Sequence, residues 1–190
     1  MMFNLDRNTG NITSAYGFGN LGSPGDNQLK ISPDGSLFSI NTKYIYKLEN
    51  LKPQKLKDKI YDLFFFPDSK RLLLFDSVGL EIYDIENNSI IHSMPIETTY
   101  GLPQKVSLSP DGQYVVIIYK NNNQNIWYPK LFSTESMSFI QNGNLFDGSE
   151  VENEIVEIKW SPNSVYAGLQ YKTQELRIFN IDKWMNSNNI

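Results

Sequence analysis

Apolar and polar positions alternate in four places along the chain, and each alternation runs into a proline-containing turn. The segments QLKIS, YDLFFF, QKVSLS and VEIKWS place Leu29/Ile31, Leu63/Phe65, Val106/Leu108 and Ile158/Trp160 at the two-residue period of a half-buried strand. The turns that follow read SPDG, FPDS, SPDG and SPNS, beginning at Ser32, Phe66, Ser109 and Ser161. Proline presets the backbone of such a turn, Asp34, Asp68 and Asp111 offer carboxylates to the amides ahead, and Gly35 and Gly112 tolerate a left-handed conformation. Behind each turn comes an apolar second strand: SLFSI, RLLLF, YVVIIY and VYAGLQY. A third strand then ends in a polar turn, as in FNLDRNTGNI, IYDIENNSII, LFSTESMSFI and IFNIDKW, and the apolar residues beyond it predict a fourth strand. Residues 43–56 fit this scheme less cleanly, and no stretch longer than one turn has helical periodicity.

The turn prolines Pro33, Pro67, Pro110 and Pro162 lie 34, 43 and 52 residues apart, so the growth is in loops and the strands stay constant. A repeat array permits such insertions, because each unit needs only its neighbours for burial. Units of about 40 residues with four strands are propeller blades. The expectation is an all-β chain with a single domain over 1–190: a partial blade at 1–16 and repeats at about 28–56, 59–96, 103–140 and 154–184.

The recurring SPDG turn and the FNLD-x-x-TG hairpin resemble the β-propellers of the WD40 and YVTN-like kind. The likeness lies in architecture: the Gly-His pair and the Trp-Asp dipeptide of WD40 repeats are missing, and IYD at 82–84, LFS at 131–133 and IFN at 178–180 stand where that dipeptide would close the third strand. The wording at 60–67 also resembles the propeller of a eukaryotic initiation factor that delivers initiator tRNA, and no functional residue is carried over from it. The chain opens inside a unit and its last repeat stops after a third strand, so NITSAY at 11–16 is expected to complete repeat four. An open arc, a truncated chain, or two chains making an eight-bladed ring are competing arrangements of comparable weight, since four blades is the small extreme of the architecture.

Composition narrows the chemistry. With no cysteine and one histidine, disulfides, thiolate-ligated metals and multi-imidazole sites are excluded. The longest apolar runs, LFFF and YVVIIY, are far too short to span a membrane as a helix, and no secretory signal opens the sequence, so the cytoplasm is the expected compartment. A net charge of −4 disfavours nucleic acid, although 43–59 holds six lysines and 146–157 is acidic.

Candidate sites are few. GFGNLG at 17–22 matches a pyrophosphate-binding glycine pattern, but SPGDN follows where a helix is needed, so a loop between blades is expected. His92 sits in an apolar strand and reads as a surface or hydrogen-bonded residue, and the turn aspartates are explained by turns. No catalytic residue, cofactor or metal is expected. The expected function is a non-catalytic scaffold or protein-protein interaction module, with another protein or a second copy of the chain as partner. The alternatives are a lactonase-like propeller enzyme with its site at the central channel and a translation-factor-like or RNA-associated propeller. Long loops on one rim suggest that Phe18, Tyr100, Asn123, Trp127 and Tyr171 contribute to the contact. Trp127 and its neighbour Tyr128 also suit the packing of a blade.

Overall fold

The structure, a computed structural model, describes residues 2–5, 12–16, 29–40, 43–95, 101–121, 126–144 and 153–186. It is almost entirely β, with four small sheets in a four-blade propeller arrangement. Blade 1 contains β3 (Leu29–Ile31), β4 (Leu37–Ile40), β5 (Tyr44–Lys47) and β6 (Pro53–Lys55). In blade 2 the strands are β7 (Ile60–Phe65), β8 (Arg71–Asp76), β9 (Gly79–Asp84) and β10 (Ser89–Pro95). Blade 3 follows with β11 (Leu102–Leu108), β12 (Tyr114–Asn121), β13 (Ile126–Ser133) and β14 (Ser138–Asn144). Three strands make blade 4: β15 (Ile155–Trp160), β16 (Tyr166–Tyr171) and β17 (Leu176–Asn180). Each sheet is an antiparallel meander, and the first strands β3, β7, β11 and β15 neighbour one another in sequence order.

The four proline turns share one geometry. The amides of Gly35, Ser69, Gly112 and Ser164 donate to the carbonyls of Ser32, Phe66, Ser109 and Ser161 at 2.9, 3.0, 2.9 and 2.9 Å. All four residues take positive φ, from 57° at Ser69 to 75° at Gly112, as expected for a turn that closes through a left-handed residue. The preceding acid braces the turn: Asp34 Oδ1 accepts the Ser36 amide at 2.9 Å, Asp68 Oδ1 the Lys70 amide at 2.9 Å and Asp111 Oδ1 the Gln113 amide at 3.0 Å. Asn163 does the same for Val165 at 3.3 Å.

Three expectations are corrected. Residues 43–56 form an ordinary third and fourth strand, with Pro53 tolerated because β6 is an edge strand. The segment β2 (Ile12–Tyr16) does not complete blade 4; it pairs with β1 (Met2–Leu5) in a separate two-stranded sheet, since a short hairpin satisfies both strands locally. A helix, α1 (Ile181–Asn186), follows β17. Asn180 Oδ1 accepts the Lys183 amide at 2.9 Å and so caps it, and Ile181 is buried among residues of blades 3 and 4. No helix among the described residues is long and apolar enough to cross a membrane.

Candidate interaction surface

The seams between blades are built from recurring positions. In the first, Leu37 and Ile45 of blade 1 pack on Leu63, Leu72, Leu74 and Tyr83 of blade 2. In the second, Leu73, Phe75 and Ile82 of blade 2 meet Val106, Leu108 and Val115 of blade 3. In the third, Val116, Trp127 and Leu131 of blade 3 meet Ala167, Leu169 and Tyr171 of blade 4. Polar links reinforce the apolar packing. Lys30 Nζ donates to the Leu63 carbonyl at 2.6 Å, forms an ion pair with Asp62 and lies 3.8 Å from the Phe64 ring centroid. Lys57, in the connection from blade 1 to blade 2, binds both Asp76 and Glu81.

The turns also touch across the seams. The Asp34 amide donates to Ser69 Oγ at 3.1 Å and the Asp111 amide to Ser164 Oγ at 3.0 Å. At the second seam the residue in the serine position is Gly112, and a Cβ there would lie 2.8 Å from Pro67 Cδ and 2.9 Å from Phe66 Cδ1. Blade 2 therefore presses its proline turn into the space that a missing side chain leaves. Hydrogen bonds from the Ser32 hydroxyl, then from the Ser36 amide and hydroxyl, hold the Asp34 carboxyl down at about 2.

Among the described residues no apolar cluster joins blade 4 to blade 1. The outward faces of these two blades carry the same positions that are buried or half-buried in the inner seams. On β3, Leu29 and Ile31 pair with Ile40 and Phe38, as Val106 and Leu108 pair with Ile117 and Val115 on β11. Yet Leu29 and Ile31 are 61% and 60% exposed, against 7% and 9% for Val106 and Leu108. On β17, Ile178 pairs with Gly168 of the second strand, as Ile45 pairs with Ser39, Ile82 with Leu73 and Leu131 with Val116. Ile178 is 65% exposed, whereas Ile45, Ile82 and Leu131 are at 1% or below. Leu176 and Tyr166 are exposed beside it, and nothing lies within 4 Å of a Cβ built on Gly35.

Of the residues expected at a contact, Trp127 and Tyr171 lie in the third seam and are buried. Their side chains are thus spent on packing. Lys120 Nζ lies 5.1 Å from the Trp127 ring centroid, and burial pushes the Tyr171 hydroxyl up to about 12. Phe18, Tyr100 and Asn123, the GFGNLG segment and most of the acidic loop lie outside the described residues. His92 is exposed on the edge strand β10. The lysines of 43–59 do not all face solvent unpaired: Lys43 and Lys55 pair with Asp58 at 3.3 and 3.4 Å, and Lys57 is engaged as above. The open-arc arrangement read from the sequence implies apolar end faces; the residues that form them were not singled out, although the recurrence of Leu29, Ile31 and Ile178 at seam positions was the signal that could have found them.

Two of the cavities among the described residues bear on a small ligand. One, of about 460 Å³, opens between the first strands of blades 2, 3 and 4, with Tyr61, Phe64, Gln104, Lys105, Val156 and Glu157 on its walls. Its carboxylates are engaged: Asp62 with Lys30, and Glu157 with Lys159 at 2.7 Å. The other, of about 750 Å³, is a groove on the turn rim between blades 1 and 2, bordered by Asp34, Lys47, Gln54 and Lys70. Among the described residues no group of three or more His, Asp or Glu side chains could hold a metal ion. No protein-family model matches the chain, and no curated protein sequence matches it either.

Proposed function

We propose that the protein is a non-catalytic propeller module that works by binding another protein through its terminal blade faces. The observation that carries this reading is the exposure of Leu29 and Ile31 at one end and Ile178 at the other, at positions that the inner seams bury or half-bury. Contiguous apolar faces of this kind mark interaction sites on soluble proteins, because their burial supplies roughly 25 cal/mol per Å². Among the described residues, the carboxylates of the cavity between blades 2, 3 and 4 are engaged in ion pairs, Asp62 with Lys30 and Glu157 with Lys159. The cytoplasm remains the proposed compartment.

An apolar fluorescent dye tests it. Dilute protein should bind the dye, and the double variant Ile31→Asp, Ile178→Asp should lose most of that binding while keeping its melting temperature. A wild-type chain that sediments as a monomer and binds no dye would overturn the reading.

A further inference from the structure

Resting on that reading, we infer that the partner is a second copy of this chain, and that blade 4 of each copy docks on blade 1 of the other to close a twofold, eight-bladed ring. The two open faces are the two halves of one seam that the chain already builds three times. Blade 4 presents a following face, with Ile178 at the register of Ile45, Ile82 and Leu131. Blade 1 presents a preceding face, with Leu29 and Ile31 at the register of Val106 and Leu108.

The polar fittings match as well. Lys159 stands two residues before its turn serine, as Lys30 does, and is exposed apart from its pairing with Glu157. At a seam it would reach the blade 1 main chain at Leu29, as Lys30 reaches Leu63. Gly35 occupies the turn position of Gly112, but among the described residues nothing fills at Gly35 the space that Pro67 and Phe66 fill at Gly112. Pro162 of an incoming blade 4 is the residue at the register of Pro67.

A single chain leaves the seam open, because Leu29, Ile31 and Ile178 are all solvent-exposed within it. Two chains related by a twofold axis along the channel bury both ends at once, with no face left over, and head-to-tail contacts of this kind form a ring when the rotation closes. Eight blades falls within the ordinary range for propellers.

Complementation between variants tests the geometry. Ile31→Asp spoils the blade 1 face and Ile178→Asp the blade 4 face, and both side chains are exposed in the single chain, so neither change should prevent folding. In each variant alone, both seams of a dimer contain one damaged face. In an equimolar mixture, one seam of the mixed dimer is wholly intact. By sedimentation, the wild type should run at dimer mass, each variant as a monomer, and the mixture should regain dimer with affinity at least about tenfold above either variant. Leu29→Lys with Leu176→Lys gives an independent pair and should behave alike. A wild-type monomer that still binds apolar dye would overturn the self-pairing while leaving the interaction module standing. A wild-type dimer whose mixed variants associate no better than each alone would overturn the head-to-tail arrangement.

Discussion

The backbone amide of Asp111 donates to the Ser164 hydroxyl at 3.0 Å, tying the turn of blade 3 to the turn of blade 4. Asp34 and Ser69 make the same bond across the first seam at 3.1 Å. Each bond joins adjacent blades through residues that also shape their own turns, so local turn chemistry and long-range packing are coupled.

Removing that hydroxyl should weaken the seam without disturbing the turn. Ser164→Ala keeps a Cβ at φ 60° and deletes only the acceptor of the Asp111 amide, a loss of about 1 kcal/mol. Urea unfolding should show Ser164→Ala and Ser69→Ala destabilised by similar amounts, with Ser36→Ala closer to wild type in its effect on the seam.

A glycine comparison isolates the proline contact. Gly112 and Gly35 sit at φ 75° and 73°, so alanine carries nearly the same backbone strain at each. Only at Gly112 does the new methyl collide with Pro67 and Phe66. Gly112→Ala should therefore be less stable than Gly35→Ala by roughly 1–3 kcal/mol, the usual range for overpacking. Equal melting temperatures for the two variants, measured on protein dilute enough to be monomeric, would remove the second-seam contact from the account.

Acid should loosen the turn rim. The Asp34 carboxyl is held at about 2 by the Ser32 and Ser36 hydrogen bonds, below the roughly 3.9 of an unfolded chain. Its stabilising contribution is complete above the unfolded value and is lost as pH falls through the folded one. Asp68 is lowered too: burial alone would raise it, but the Lys70 amide and the Arg71 side chain outweigh that. Asp34→Asn should therefore make the acid unfolding curve, followed by tryptophan fluorescence, shallower between about pH 4 and 2.

Trp127 should behave as a core residue. Trp127→Ala ought to cost about 3–5 kcal/mol by denaturant titration, because it opens the seam shared with Ala167, Leu169 and Tyr171. A variant of unchanged stability that fails to associate would return Trp127 to the surface.

The strands and turns were legible because both signals are local: alternation over five or six residues, and proline with an acid and a left-handed residue behind it. Trp127 was legible in part: an aromatic residue after a polar run suits a contact or a blade core, and its place in the third seam, opposite Lys120 in the β12–β13 ladder, puts it in the core. Tyr171 ends the VYAGLQY strand, as the last residue of β16, but its burial depends on a neighbouring blade that local text does not name. Short apolar runs at the ends raise the same difficulty. Leu29, Ile31 and Ile178 have the composition of interior strands, and whether they are covered depends on what stands next to them.

Because every seam is shared by nearest neighbours alone, the chain has the energetics of a short row of coupled tiles, with the ends held from one side and the middle from both. Amide hydrogens of blades 2 and 3 should then outlast those of blades 1 and 4, and opening should travel inward from the rims of the row. Ring closure would erase that gradient, giving the terminal blades a lifetime that lengthens with protein concentration while the central ones hold theirs.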